Sequence, residues 1–176
     1  MRKSLCFEVI KWWFLHFWHG FLQNIKEFCT TMKLVLNTDD LTDDFYDGVR
    51  MFGVVSNFKN YKFIWEVNNA LGLNFRCNPE NEISLMKKSK KYYFQVYQHG
   101  VKNSSIVYYC YHNYFEGESL LPELKNIDFI CLVKGADSLK EEEWKSLLSN
   151  IKSVNCVQMV SEISLTQVKN KANLIF

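Results

Sequence analysis

Apolar positions fall into two rhythms along this chain, one of period two and one of period 3.6. Val49–Ser56 is an apolar run of strand length, and Gly53 inside it is expected to mark a bulge. Asn57 is expected to cap a helix over Phe58–Leu71. Tyr61, Ile64, Trp65, Asn68 and Leu71 recur there at helical spacing, and Gly72 supplies the stop. Residues 74–90 carry no clear period. Lys91–His99 alternates, with Tyr92, Phe94 and Val96 on one face and Tyr93, Gln95 and Tyr97 on the other. The turn-rich Gly100–Ser104 and a second alternating run, Ser105–His112, complete an antiparallel hairpin. Asn113–Ser119 reads as a polar loop and Ile127–Val133 as a buried strand. Ser138-x-x-Glu141 is expected to be a capping box for a helix with the stripe Trp144, Leu147, Leu148 and Ile151. Val154–Val160 reads as a further strand, and Lys33–Asn37 as a short one near the start.

Runs of strands with a hairpin argue against alternating, doubly wound α/β architecture. The expected class is α+β, a single mostly antiparallel sheet of five to six strands with two helices packed on one face. The 176 residues suit one domain. Aromatics at 16% with only 7 Gly and 2 Pro favour ordered strands over disorder. A net charge of +2 is too small to imply nucleic acid or an anionic membrane by itself.

Residues 1–31 break this pattern. Trp12, Trp13, Phe14, Phe17, Trp18 and Phe21 crowd one window. Lys11, His16 and His19 interrupt it, which speaks against a membrane span, and no small-residue cleavage site follows. An interfacial helix and a signal peptide are the competing readings. The favoured one is an N-terminal extension outside the fold, from an over-called start or an unstructured segment. Residues 32–176 then form the single domain, opening at Met32-Lys33-Leu34-Val35-Leu36.

The segment Leu121-Pro122-Glu123-Leu124-Lys125-Asn126-Ile127-Asp128-Phe129 places a Pro-Glu pair ahead of an apolar-acidic-apolar strand start. It resembles the motif of the bacterial IPExxxVDY family, with Leu121, Ile127 and Phe129 as conservative swaps and Pro122, Glu123 and Asp128 as matches. The resemblance implies a small cytoplasmic bacterial domain and carries no assigned activity. Pro122 should fix its own φ and hold Leu121 extended. Glu123 should then cap backbone N–H groups or pair with a lysine, and Asp128 should face away from Ile127 and Phe129. These three residues are also the candidate binding residues.

Other candidate chemistry is sparse. Asp39, Asp40, Asp43, Asp44 and Asp47 form a dense acidic loop, but Leu41 and Phe45 occupy the third position in either calcium-loop register. The six cysteines include no C-x-x-C pair and fit no zinc template. Cys110, Cys131 and Cys156 lie in apolar runs and are expected to be reduced core residues of a cytoplasmic protein. His99 should lie near the hairpin turn and His112 far from it, so neither has an evident catalytic partner. The expectation is therefore no catalytic residue, no metal and no cofactor. A non-catalytic binding or regulatory module with a protein partner is favoured, its oligomeric state open. Two alternatives stand. One is RNA binding through the Lys87–Lys91 cluster and the aromatic strands. The other is an enzyme whose carboxylates gather Glu123, Asp128 and a histidine.

Overall fold

A computed structural model of the protein describes residues 44–176, all within one compact unit, Thr38–Phe176. The expectations for residues 1–31, the strand Lys33–Asn37 and Asp39, Asp40 and Asp43 lie outside the described residues.

Strand β1 (Arg50–Ser56) is followed by helix α1 (Asn60–Leu71), the two-residue β2 (Arg76–Cys77), β3 (Ile83–Lys87), β4 (Lys90–Phe94), β5 (Val96–Gly100) and β6 (Val107–His112). The short β7 (Tyr114–Phe115) and β8 (Glu118–Ser119) precede β9 (Phe129–Lys134), α2 (Glu141–Lys152) and β10 (Val157–Ile163). Six strands form one antiparallel sheet in the order β10-β1-β9-β6-β5-β2. The β3–β4 and β7–β8 hairpins stand apart from it as two-stranded ribbons. The α+β class, the antiparallel sheet and the two helices on one face are all present.

Alternation along β1 and β9 divides the core. Phe52, Val54, Phe129, Cys131 and Val133 meet the helices through Phe63, Ile64, Val67, Trp144 and Ile151. Phe63 stacks on Phe129 with ring centroids 4.0 Å apart. On the other face, Met51, Ile130, Leu132, Val96 and Tyr111 are buried by Ile83, Phe94, Leu120, Leu121, Val168 and Leu174. Irregular segments and the β3–β4 hairpin cover this face, so the central strands β1 and β9 are buried on both sides, whereas β10 and β2 at the margins stay largely exposed.

Several local expectations shift. Gly53 is not a bulge; the register slips at Val55/Ser56 instead. A Cβ at Gly53 would come within 2.9 Å of the Ile127 side chain, so glycine is there for close approach. Asn57 does not cap α1, which starts after an extended Lys59 and stops at Gly72 in the left-handed conformation, φ 64°. Ser138 belongs to a 3-10 turn, and the Glu143 carboxylate accepts the Lys140 N–H at 2.9 Å at the start of α2. The Lys91–His99 run is two strands, not one. It breaks at Gln95, sending β4 to pair with β3 and β5 to pair with β6. The hairpin register matches His99 with Tyr108 near the turn and leaves His112 at the far end.

Candidate functional site: a sheet edge bordered by helix α1

The Pro-Glu segment is built into the fold. Pro122 opens a 3-10 turn, Pro122–Leu124, and Leu121 before it is extended at φ −115°, ψ 99°. Glu123 does hold a backbone donor, but one from far along the chain. Its two oxygens accept the Asn170 backbone N–H at 2.8 Å and the Asn170 side-chain amide at 2.9 Å. Burial pushes the Glu123 carboxyl up. The hydrogen bonds from Asn170, from its own N–H and from Lys169 outweigh this and leave it below its ordinary value. Asp128 accepts the Ser56 N–H at 2.9 Å, satisfying the end of β1 where the register slips. Glu123 and Asp128 thus bond different elements, the C-terminal segment and β1.

The residue that organises this segment is one the sequence placed in a polar loop. Asn113 is fully buried and is the only buried polar residue among those described. Its amide donates to the Leu124 carbonyl at 3.0 Å and to the Ile127 carbonyl at 2.8 Å, and its oxygen accepts the Leu121 N–H at 3.0 Å. Nothing in the local pattern distinguishes it from the exposed asparagines nearby.

The low side of the Glu123 shift has a testable consequence. Its folded pKa lies below the unfolded one, so its stabilisation is present above the unfolded value, near 4.5, and is lost as pH falls through the folded value. Glu123→Ala should cost about 1 kcal/mol at neutral pH. That difference should shrink progressively as pH falls below the unfolded value, and the Asn170 amide should exchange faster in the variant at neutral pH. A destabilisation that stays constant on acidification, measured by urea melts, would contradict the assignment.

The lysine cluster is largely spoken for. Lys87 pairs with Glu118 and Lys90 with Glu116, both at 2.9 Å, which fastens the β3–β4 hairpin to the β7–β8 hairpin. Tyr92 is half-buried and Phe94 and Tyr97 are buried, leaving Tyr93 as the exposed ring of the group. His112 is half-buried beside Phe129, and burial lowers its pKa. Among the described residues, no cluster of three or more His, Cys, Asp or Glu could hold a metal ion. Cys110, Cys131 and Cys156 are buried free thiols. Cys77 is exposed, and burial, with Glu82 nearby, raises its pKa, so it is a thiol rather than an activated nucleophile.

Helix α1 presents the unexpected surface. Phe63, Ile64 and Val67 are its buried residues, whereas Tyr61 is 69% exposed and Trp65 60%. The expected stripe is therefore rotated; only Ile64 and the half-buried Leu71 belong to both faces. Asn68 shows what the outer stripe borders. Its side chain accepts the Phe75 N–H at 2.8 Å and donates to the Phe75 carbonyl at 3.0 Å. Tyr61, Trp65 and Asn68 share one side of the helix at spacings of four and three. That side therefore runs beside the chain entering β2, the outermost strand of the sheet.

The free edge of β2 can be read from the ladder. Asn78 donates to the Val96 carbonyl, and Arg76 lies opposite Gln98 in the same phase, so both point their backbone groups at β5. Cys77, between them, points its N–H and C=O outward, as Phe75 does. The Asn68 amide occupies the place of a next strand at Phe75; no protein group does so at Cys77 among the described residues. Where β2 meets the β5–β6 turn lies an open groove of about 830 Å³, lined by Asn74, Arg76, Gln98, His99 and Lys102 among others. Among the described residues, Arg76 and Lys102 form no ion pair and no carboxylate lines the groove.

No family model matches this chain, and no curated protein or solved structure matches it either.

Proposed function

We propose that this domain is a non-catalytic protein-binding module that meets its partner at the outer face of α1 and the β2 edge. The observation that carries this reading is the exposure of Tyr61 and Trp65 beside a sheet edge whose Cys77 backbone groups have no partner among the described residues. Large aromatics held outward on a rigid helix are the side chains that contribute most at protein interfaces. The kinship to the IPExxxVDY family, with a reducing cytoplasmic setting, belongs to the same proposal and rests on the Leu121–Phe129 motif. Among the described residues no helix is long and apolar enough to cross a membrane.

The test is a double variant, Tyr61→Ala/Trp65→Ala. Both side chains are exposed, so the melting temperature should stay within a few degrees of the parent chain. Quantitative capture from an extract of the cells that make the protein should show proteins retained by the parent chain and lost at least tenfold by the variant. Identical capture profiles with an intact fold would overturn the proposal.

A further inference from the structure

We infer that the partner binds as an extended strand added to β2 at Cys77, with an acidic side chain at the Arg76–Lys102 end. This deepens the binding reading above and rests on it. Three observations converge. First, the ladder phase leaves the Cys77 N–H and C=O as an outward pair, which is the minimal template for a further antiparallel or parallel strand. Second, Asn68 already satisfies the equivalent pair at Phe75 from the helix side. Among the described residues, the chain closes its own edge at one end and leaves it open two residues later. Third, the aromatic pair lies at the matching height. Asn60 bonds Gln95 and Asn68 bonds Phe75, so α1 runs beside β5 while β2 runs back against it. From Asn68, Trp65 and Tyr61 lie about 4.5 and 10.5 Å back along the helix. Cys77 lies about 7 Å along the strand from Phe75 in the same direction. An added strand therefore pairs with Cys77 between the two rings, and its alternate side chains lie against them.

Charge fixes the chemical class and the polarity of the site. The groove beyond Arg76 holds Arg76 and Lys102, and His99 and Gln98 offer further polar groups there. His99 is held by accepting the Asn74 N–H on Nδ1 at 3.3 Å and by stacking on Tyr108. Glu82 acts on Cys77 from the other end, so an acid in the ligand is disfavoured there and favoured beside Arg76.

The test uses the full chain and a displayed library of random ten-residue linear peptides. Enriched peptides should carry Asp or Glu and alternate apolar residues. A selected peptide should lose at least tenfold in affinity when N-methylated on alternate residues. Cys77→Pro should do the same, because the lost N–H points away from β5 and the ladder survives; Cys77→Ala should bind like the parent chain. Arg76→Glu should also weaken binding and admit basic peptides. If Cys77→Pro fails to fold, judged by its melting temperature, the N-methylated peptide on the parent chain decides alone. Peptides that tolerate N-methylation, or that show no acidic bias, would overturn the inference. Loss of binding in Trp65→Ala with indifference to Cys77→Pro and to N-methylation would leave the binding module standing and remove the strand mode. No enrichment at all, or binding indifferent to both Trp65 and Cys77, would remove both.

Discussion

Replacing Asn113 with alanine should cost the fold on the order of 3–5 kcal/mol, more than a typical loop substitution by severalfold. The side chain is fully buried and serves two carbonyls and one N–H of the Leu121–Ile127 segment. Alanine leaves the Leu121 N–H and the Ile127 carbonyl without their side-chain partner, whereas the Leu124 carbonyl keeps the Ile127 N–H; each buried group so orphaned costs about 1–3 kcal/mol. The backbone of Asn113 continues the β6–β9 pairing by donating to Asp128, so the strand itself can persist. The damage should therefore spread along Leu120, Leu121 and Ile127, and then to the C-terminal segment. That segment depends on this one through Glu123–Asn170 and through the Asn173 amide on the Leu120 carbonyl. Asn113→Asp is the sharper variant. It keeps an acceptor for the Leu121 N–H but turns a carboxylate towards two carbonyls, and should be at least as damaging. Urea unfolding measures both; a loss under 1 kcal/mol for Asn113→Ala would contradict the account.

Trp144→Ala should cost about 3–5 kcal/mol, through the large void left in the helix-covered half of the core. Trp144 is fully buried, meets Phe52 edge-on with centroids 5.8 Å apart, and lies under the Arg50 guanidinium at 4.1 Å. Arg50 in turn bridges α2 and β10 by ion pairs to Glu141 at 2.8 Å and Glu162 at 2.6 Å. The ring is thus the platform on which β1, α2 and β10 are joined. Its indole N–H is buried without a hydrogen-bond partner, so Trp144→Phe removes an unsatisfied donor along with some volume. The phenylalanine variant should cost no more than about 1–2 kcal/mol. Equal losses in the two variants, measured by thermal or urea melts, would show that the indole N–H matters in a way this packing does not provide.

The groups with two-fold or helical spacing were the most legible in the sequence. Val96 and Tyr97 on opposite faces of the sheet, the buried thiols of Cys110 and Cys131, and the stripe of α2 through Trp144 and Ile151 all sit where the sequence pattern places them. Pro122 behaves as its ring dictates, whatever surrounds it, because a fixed φ is a local property. Helix ends were less legible. Ser138 and Asn57 have capping chemistry, yet each helix starts two or three residues later, where packing sets the first turn. The break at Gln95 was hidden because the side chains alternate without interruption across it, while the backbone changes partner from β3 to β6.

The sequence by itself determined the class of fold: its apolar rhythms require strands and two amphipathic helices, and its strand runs and hairpin exclude an alternating parallel sheet. It also determined that the Pro-Glu segment would be locally rigid. What only the tertiary structure decided was the phase and the pairing. Helix α1 carries two overlapping apolar stripes, and Ile64 belongs to both. Phe63 faces inward because Phe129 meets it across the core, and this turns Tyr61 and Trp65 outward beside β2. Asn113 is buried and Glu123 is held by a residue 47 positions away because separate segments converge there. A local pattern records which side chains are apolar, but not which surface they will meet. For that reason the candidate binding edge, which depends on the relative placement of α1, β2 and β5, became visible only in three dimensions.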